Sequence, residues 1–352
     1  MRSIVRFAWL LWLALMFSSA TAETTNGVGM HAIKVRDPVG GADMPGYVFY
    51  PSTNKGSTAI EGYDVAAVTD AAPLAGVRPL VVLSHGNGGS AFDLHDLATY
   101  LAAHGFVVAT LEHPRDNYHD QSGVGRAPVL DGRPVQVQAV INDLLADKTW
   151  SRRIDATRIG VGGFSAGGYT SLLLVGAVPN FSRFISYCTR YPSDDLCAGA
   201  DKFRAEAASH GQTVEQVMQS IQQDFDRWGK AADPRVKAAF AMAPLSLIFD
   251  DAGVASIDRP VFLYYGQNDR VARPSENALH IAPSIRQLDT IKQIPAASHW
   301  VFLAPCSVAM AKRLPVMCTD APGVDRVKVH AQIQTDALAF FRKTLAVGSA
   351  GH

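Results

Sequence analysis

Short runs of apolar residues alternate with amphipathic segments along most of this 352-residue chain. Runs such as PLVVLS and FVVATL have the length and the β-branched content of strands buried on both faces, which is typical of a parallel sheet. Between the runs, Val137, Ile141 and Leu144 recur at helical spacing in a segment that ends near Trp150. The predicted core strands are 79–84, 106–111, 159–161, 236–243, 260–265 and 288–294, with edge strands at 30–39 and 46–50 and further helices at 90–103, 166–178 and 325–345. This alternation predicts an α/β fold with a mostly parallel central sheet flanked by helices.

One junction between a predicted strand and a predicted helix carries chemistry. The strand run at 159–161 leads into the sequence GFSAG at 163–167, and the next helix begins at Ala166. In this context a G-x-S-x-G motif forms a sharp turn that presents its serine at the head of the helix. The positions two before and two after the serine need to lack side chains, and the helix N-terminus favours a developing negative charge. We therefore predict Ser165 as a nucleophile.

A serine nucleophile needs a base, and the base needs an orienting acid. Asp269 directly follows the predicted strand 260–265, while Asp250 and Asp251 follow the preceding strand and are the alternative acids. His299 follows the strand 288–294 through a short loop of small residues. His85 is the alternative base, but it precedes the serine in the chain and lies in a different loop. We predict Asp269 as the acid and His299 as the base.

Hydrolysis also needs backbone donors for the oxyanion. Ala166, at the head of the predicted helix, offers one N–H group, and the glycine-rich loop at 84–89 is placed to offer another. The loop has no G-x-G-x-x-G or Walker pattern, which argues against a phosphate cradle. His113 follows the strand 106–111 and is expected to line or support the site, whereas His95 and His104 are expected on a helix surface.

Residues 179–233 break the alternation of strands and helices. They contain no convincing core strand and include a polar, helical stretch at 200–228. Because the segment directly follows the helix that begins at Ala166, we expect a small helical cap insertion over the site. The alternative is a solvated subdomain without a role in function.

Composition and the N-terminal pattern narrow the cellular setting. The formal net charge is zero, so nothing favours nucleic acid or an anionic membrane surface. Arg2 and Arg6, the apolar run 7–17 and the small residues 20–22 form the pattern of a signal peptide over residues 1–22. The apolar run is short for a membrane span. We expect a single large domain over 23–352 that is secreted or periplasmic, without stable membrane insertion.

The four cysteines fall into two close pairs. In an oxidising compartment an even number of cysteines favours disulfides, and this proximity predicts the bridges Cys188–Cys197 and Cys306–Cys318. Metal ligation is the alternative, but no C-x-x-C or paired Cys/His spacing supports it.

From about Gly46 to the final helix, the chain resembles the α/β-hydrolase superfamily, and within it the branch of predicted dienelactone hydrolases and platelet-activating-factor acetylhydrolase-like esterases. The blocks that carry the resemblance are SHGNGGS (84–90), LAAHGFVVATLEHP (101–114), RIGVGGFSAGG (158–168), DPRVKAAFAMAP (233–244), PVFLYYGQND (260–269) and ASHWVFLAPC (297–306). The resemblance implies Ser165, Asp269 and His299 as nucleophile, acid and base, and oxyanion amides at Asn87 and Ala166. True dienelactone hydrolases use a cysteine nucleophile, so the serine favours a carboxylic ester as substrate.

The expected activity is hydrolysis of carboxylic esters with short to medium acyl chains, in a small molecule, a lipid or a polyester, without a metal or organic cofactor. Phe164, Trp300 and Phe302 are candidates for lining an apolar acyl pocket, although aromatic residues beside a sheet also simply pack in the core. The alternatives are a serine peptidase of the same fold and a non-catalytic binding protein on this scaffold. The sequence leaves the ester, the oligomeric state and any motion of the cap open.

Overall fold

Nine strands form one sheet in the part of the chain that the structure, a computed structural model, describes, namely residues 25–194, 197, 200–217, 219, 220, 223 and 231–346. The strands are β1 Gly27–Arg36, β2 Asp43–Ser52, β3 Thr58–Ile60, β4 Tyr63–Val65, β5 Val68–Thr69, β6 Arg78–Ser84, β7 Val107–Leu111, β8 Ile154–Phe164, β9 Val236–Met242, β10 Val261–Gly266 and β11 Leu288–Ile294. Their order in the sheet is β11-β10-β9-β8-β6-β7-β2-β1-β5, while β3 and β4 pair separately as a hairpin. The predicted signal peptide at 1–22 lies outside the described residues.

The six strands from β7 across to β11 in the sheet are all parallel. Strand β2 pairs antiparallel with β7, and β1 pairs antiparallel with β2. Parallel neighbours need long crossovers, and helices supply them here. The α-helices are His95–Ala103, Ala127–Leu130, Gly132–Ala146, Ala166–Leu174, Phe181–Arg190, Ala200–Ser209, Asp251–Ala255, Ala278–Ile281, Val308–Arg313, Pro315–Cys318 and Arg326–Thr344, and 3₁₀ turns cover Ala282–Ser284 and His299–Phe302. The predicted mostly parallel sheet flanked by helices is confirmed.

Side chains of the central strand β6 alternate between two cores, one on each face of the sheet. Leu80 and Val82 pack into the core that holds the helix Gly132–Ala146. Val81 and Leu83 pack into the opposite core, with the helices His95–Ala103 and Arg326–Thr344. Burial on both faces is the reason that the sequence of this strand is apolar without alternation.

Three predicted helices have wrong boundaries, and local chemistry explains them. The helix expected to end near Trp150 ends at Ala146, because Asp147 Oδ1 accepts from the N–H groups of Thr149 and Trp150 and holds the chain in a turn. The helix expected from residue 90 begins at His95, because the Ser90 hydroxyl accepts a hydrogen bond from Phe92 N–H at 3.1 Å and holds the chain in a turn. The helix expected to reach residue 178 ends at Leu174, where Gly176 adopts a φ of 110° and stops it.

The insertion at 179–233 is helical where the structure describes it. The helix Ala200–Ser209 begins the stretch expected from 200 to 228, which breaks at Gly211 with a φ of 65°, and the helix Phe181–Arg190 was not predicted. Residues 218, 221, 222 and 224–230 of that stretch lie outside the described part. The disulfide Cys188–Cys197 links this region and packs with Tyr187 and Leu247 in a small buried cluster.

Both predicted disulfides are confirmed, with Cα–Cα distances of 5.3 Å for Cys188–Cys197 and 5.8 Å for Cys306–Cys318. Among the helices that the structure describes, none is long and apolar enough to cross a membrane.

Candidate active site

Ser165 occupies a strained turn between β8 and the helix Ala166–Leu174. Its φ is 55° and its ψ is −114°, a conformation that a residue with a side chain rarely adopts. Two backbone bonds hold it there, because Ser165 N–H donates to Met242 O at 2.9 Å and Ser165 O accepts from Leu245 N–H at 3.1 Å. The turn leaves the hydroxyl partly exposed at the carboxyl ends of the parallel strands.

The two glycines of the motif allow the backbones around Ser165 to approach closely. A Cβ at Gly163 would overlap the Gly167 carbonyl group and lie 2.6 Å from Ser84 O. A Cβ at Gly167 would overlap Ser84 O and lie 2.8 Å from His85 O. Because these neighbours are backbone atoms, they have no side-chain freedom with which to move aside. The prediction that both positions must lack side chains is confirmed.

The structure brings Ser165, His299 and Asp269 together. His299 Nε2 lies 3.0 Å from Ser165 Oγ, and His299 Nδ1 lies 2.7 Å from Asp269 Oδ2. Since a carboxylate only accepts, Nδ1–H donates to Asp269 and Nε2 is left to accept the proton of the Ser165 hydroxyl. His299 and Asp269 are both buried. This is the geometry in which a base removes a serine proton while an acid fixes its tautomer.

The loops that carry Asp269 and His299 are hydrogen-bonded to each other. Asp269 Oδ1 accepts from the N–H groups of Val271 at 2.8 Å and Ala272 at 2.7 Å, so both carboxylate oxygens have partners. Asn268 N–H donates to Ala297 O at 2.9 Å. Gln267 Oε1 accepts from the N–H of Ala296, a residue held at a φ of 58°.

Gln267 was not predicted as a site residue. Its place in the GQND block, directly before the acid, is the only sequence signal that points to it. By holding the strained Ala296, three residues before the base, it fixes the entry into the turn His299–Phe302.

The loop at 84–89 runs past the serine, as predicted. A Cβ at Gly86 would lie 3.4 Å from Ser165 Cβ, so the loop passes close to the serine at the residue before Asn87. Ala166 is the first residue of its helix, where an N–H group has no intrahelical partner. Among the hydrogen bonds of the described residues, neither Asn87 N–H nor Ala166 N–H donates to a protein acceptor. Both amides are therefore available to a ligand at this position.

A buried ion pair supports this loop from below. Arg133 and Asp116 are both fully buried and contact each other through Arg133 Nη1 and Asp116 Oδ2. Asp116 Oδ1 accepts from Gly88 N–H at 2.8 Å, and Arg133 Nη2 donates to Ser84 Oγ at 3.0 Å and to His85 O. The ion pair thus fixes the backbone on either side of Asn87.

Two neutral histidines complete this support. His113 Nδ1 lies 2.7 Å from Gln136 Oε1, and its Nε2 accepts from the Ser84 hydroxyl at 2.8 Å. His85 Nδ1–H donates to Gly86 O at 2.6 Å, and its Nε2 accepts from His113 N–H at 3.1 Å. Burial, aided by the charge of Arg133, lowers the pKa of His85 to about 3 and that of His113 well below its usual value. Both rings are occupied, so His85 is excluded as the base and His113 supports the site without lining it.

The alternative acids have structural partners. Asp250 Oδ1 accepts from Gly253 N–H at 2.7 Å as the N-cap of a short helix, and its Oδ2 accepts from Asn180 Nδ2 at 2.7 Å. Asp251 accepts from the hydroxyl of Ser284 at 2.9 Å on the surface. Neither is the carboxylate that contacts His299.

Two of the three predicted pocket aromatics belong to the core. Phe302 has no exposed surface and Phe164 is 2% exposed, so the prediction that they line an acyl pocket is wrong in this structure. They pack beneath the site instead, with the Phe164 ring centroid 4.7 Å from that of His299. Trp300 is only partly buried and remains a candidate, with its ring edge-on to His299 at 5.3 Å. His95 is also buried, at 7% exposure, because it packs against Tyr63, and the expectation of a surface position was wrong.

The insertion is bonded to the loop that follows Asp269. Arg273 Nε lies 2.7 Å from Asp194 Oδ2, which also accepts from the Tyr187 hydroxyl at 2.9 Å. A second, longer ion pair joins Arg183 to Glu276 at 3.6 Å. Asp194 lies between the cysteines of the Cys188–Cys197 bridge, so the bridge and the ion pair act on the same segment.

In the described part of the chain, no group of three or more His, Cys, Asp or Glu side chains is arranged to hold a metal ion.

Comparisons with known proteins identify the family and the fold. The family model described as serine aminopeptidase, S33, matches residues 75–305, about two thirds of the chain. No curated protein matches the sequence. Among solved structures, a ferulic acid esterase from Streptomyces cinnamoneus is similar, with a TM-score of 0.59 and 20% identity over 94% of this chain and 96% of that chain. The predicted α/β-hydrolase fold is confirmed, and the chain belongs to the S33 serine aminopeptidase family of α/β hydrolases.

Proposed function

We propose that this protein is an exported serine hydrolase that cleaves carboxylic esters with short to medium acyl chains. The observation that carries the proposal is the hydrogen-bonded series from Ser165 Oγ through His299 to Asp269, with distances of 3.0 Å and 2.7 Å. A strained serine at a helix N-terminus beside two available amides is the arrangement that acyl transfer requires.

In the proposed reaction, Ser165 Oγ attacks the ester carbonyl while His299 Nε2 takes the hydroxyl proton. Asp269 keeps the other ring nitrogen protonated and stabilises the imidazolium that forms. The N–H groups of Asn87 and Ala166 bind the oxyanion of the tetrahedral intermediate. The tetrahedral intermediate then collapses, and His299 gives its proton to the departing alkoxide. The alcohol leaves, and the acyl group stays on Ser165 as the acyl-enzyme. Water attacks the acyl-enzyme in the same way, so the carboxylate product leaves and Ser165 regains its proton.

An ester is favoured over an amide on two grounds. The ferulic acid esterase spans nearly the whole of this chain, and its name describes ester cleavage. The resemblance to the branch of dienelactone hydrolases and platelet-activating-factor acetylhydrolase-like esterases, combined with a serine nucleophile, also favours esters. The description of the matching family favours the second candidate, a serine peptidase.

The proposal also includes export of the protein and a cap formed by residues 179–233. The two disulfides support an oxidising compartment, which agrees with the signal peptide predicted at residues 1–22. We assign residues 179–233 as the cap because their helices are bonded to the loop that follows Asp269.

Three measurements on the purified protein separate the candidates. A fluorophosphonate probe labels an activated serine, so labelling that disappears in Ser165→Ala supports a hydrolase, and no labelling of the wild type would leave the binding-protein alternative. A matched pair of chromogenic substrates then separates an esterase from a peptidase. The two substrates carry the same aminoacyl group, one as a p-nitrophenyl ester and the other as a p-nitroanilide. We expect turnover of the ester and none of the amide, and turnover of the amide would establish the peptidase, because a serine peptidase also cleaves the more reactive ester. A series of p-nitrophenyl esters with increasing acyl length tests the chain-length range.

A further inference from the structure

The final helix places a buried histidine against the turn that carries His299. His330 is 4% exposed. Its Nδ1 lies 2.6 Å from Asp96 Oδ2, in the first turn of the helix His95–Ala103. Its Nε2 lies 2.9 Å from the carbonyl oxygen of Val301, two residues after His299. The ring therefore bridges the helix that follows the oxyanion loop and the turn that holds the proposed base.

The partners of His330 determine its protonation state. A backbone carbonyl can only accept, so Nε2 carries a hydrogen. Asp96 Oδ2 also accepts from the side-chain amide of Gln334 at 2.9 Å, and an ionised carboxylate only accepts, so with Asp96 ionised Nδ1–H is the donor in the contact with Oδ2. With a donor at each nitrogen, His330 is an imidazolium paired with a carboxylate.

The charges around the ring agree with this assignment. Burial lowers the pKa of His330, but the charge and hydrogen bond of Asp96 and the bond to Val301 outweigh burial and raise it above its ordinary value. Burial raises the pKa of Asp96, but His330 outweighs burial and the pKa lies below the ordinary value. The other charged or titratable neighbours are Arg326, which opposes the charge on His330, and His95, whose pKa burial lowers.

We propose that His330 is a positioning residue: its imidazolium ties Asp96 to the Val301 carbonyl and so holds His299 between Ser165 and Asp269. The inference rests on the proposed function for the role of His299. A second bond acts in the same direction, because Ala304 N–H donates to Asp93 O at 2.9 Å between the same two regions. This second bond keeps the turn attached when the histidine changes state, so the expected effect is a shift of His299 without unfolding.

Loss of one proton from His330 breaks its hydrogen bond to the Val301 carbonyl. The neutral ring keeps one N–H, which stays with the negative Asp96, and Nε2 then faces the Val301 carbonyl as a second acceptor. The stabilisation is therefore fully present below the ordinary histidine pKa and is lost as the pH rises through the raised pKa of His330. Activity is expected to fall on the alkaline side of its pH profile for this reason.

The test compares pH profiles of kcat in Asp96→Asn, His330→Gln and a control. Without the carboxylate the imidazolium loses its partner, so Asp96→Asn is expected to move the alkaline limb to lower pH and leave the acid side unchanged. His330→Gln is expected to lose that limb and lower kcat on the order of 10- to 100-fold with little change in KM, the usual cost of a misplaced base. Lys343 lies on the same helix as His330 and pairs with Asp289 of β11, so Lys343→Gln removes an ion pair far from the ring and is expected to leave the pH profile of kcat unchanged. An alkaline limb that stays in place in Asp96→Asn would overturn the proposal.

Nitrogen-15 NMR of the histidine rings, recorded on Ser165→Ala, keeps this inference separate from the proposed activity. We expect both nitrogens of His330 to be protonated at pH 7, and the His299 signals to change in Asp96→Asn but not in Lys343→Gln. A neutral His330 at pH 7, or unchanged His299 signals, would refute the positioning role whatever the enzyme hydrolyses. If both expectations hold and the wild type cleaves no ester, only the proposed function fails. Circular dichroism shows whether each variant folds, and Asp96→Asn keeps the test available if His330→Gln does not.

Discussion

The turn that carries Ser165 can form only because Gly167 has no side chain. At Gly167, the position of an added Cβ coincides with backbone atoms of residues 84 and 85, which belong to the strand β6 and to the loop beside Ser165. A side chain there must push apart the helix Ala166–Leu174 and the oxyanion loop. The glycine is therefore needed for close approach, and its own backbone angles are ordinary.

We expect Gly167→Ala to destabilise the fold by about 1–3 kcal/mol or more and to abolish hydrolysis, because overlapping backbone cannot relax as a side chain can. Denaturant unfolding and ester turnover measure the two effects. Gly56→Ala is the matched control, since its added Cβ meets only a side-chain methyl of Val68, at 3.1 Å. Wild-type turnover in Gly167→Ala would contradict the geometry described for the turn.

The Arg133–Asp116 pair carries a second prediction at this scale. Breaking a buried ion pair leaves an uncompensated charge, so Arg133→Met is expected to cost about 3–5 kcal/mol of unfolding free energy. Because Asp116 also holds Gly88 N–H, kcat should fall even at temperatures where the variant remains folded. Lys34→Met breaks an exposed pair with Asp43 and is expected to cost less than about 1 kcal/mol with no change in kcat. Equal stability losses in the two variants would count against a structural role for the buried pair.

At the scale of elements, the core strands were predictable and the supports of the site were not. The strand β6 was predicted at 79–84 and spans Arg78–Ser84, because an apolar run between turn residues is a local pattern. Asp269 and His299, the predicted acid and base, could be proposed because each lies in the loop that follows a predicted strand. Asp96 and His330 are hydrogen-bonded although they lie 234 positions apart in the chain, and a local sequence pattern cannot predict such a contact. Aromatic residues near the site were ambiguous for the same reason, since burial of Phe302 depends on the final helix and on β10.

The two disulfides close loops of similar length in elements with different roles. Their cysteines are 9 and 12 positions apart, so the chain-entropy model gives each bridge a similar contribution, about 2–3 kcal/mol. The helix Pro315–Cys318 packs against the turn His299–Phe302, so the bridge Cys306–Cys318 anchors the segment beside the base.

We therefore expect the paired variants Cys188→Ser/Cys197→Ser and Cys306→Ser/Cys318→Ser to lower the free energy of unfolding by similar amounts. Only the second pair is expected to lower kcat substantially, because only that bridge adjoins His299. Urea titration and ester turnover measured side by side provide the comparison, and each double variant serves as the control for the other. A larger loss of kcat in the first pair would show that the cap, and not the base turn, depends on its bridge.

At the scale of the whole molecule, one of the connections between the insertion and the hydrolase core lies in the loop that follows Asp269. The contacts run from Asp194 and Arg183 of the insertion to Arg273 and Glu276 of the core. Loop residues that follow Asp269 thus serve two purposes, since Val271 and Ala272 hold the carboxylate while the next turn holds the insertion. Only a few residues therefore separate Asp269 from this attachment of the insertion.

Arg273→Gln tests this connection. Asp194 is buried and Arg273 is half-exposed, so the substitution removes the positive partner of a desolvated carboxylate and loosens the helix Phe181–Arg190. We expect faster amide hydrogen exchange in that helix and a raised KM for longer acyl esters, because a cap over the site, as proposed, would contact the longer substrates most. The effect on kcat for a short ester should be small, since Asp269 keeps its bonds to Val271 and Ala272. Arg270→Gln, an exposed arginine in the same loop, is the control and is expected to leave exchange and KM unchanged. Faster exchange with an unchanged KM for every ester would mean that the insertion is attached at the acid loop but takes no part in holding the substrate.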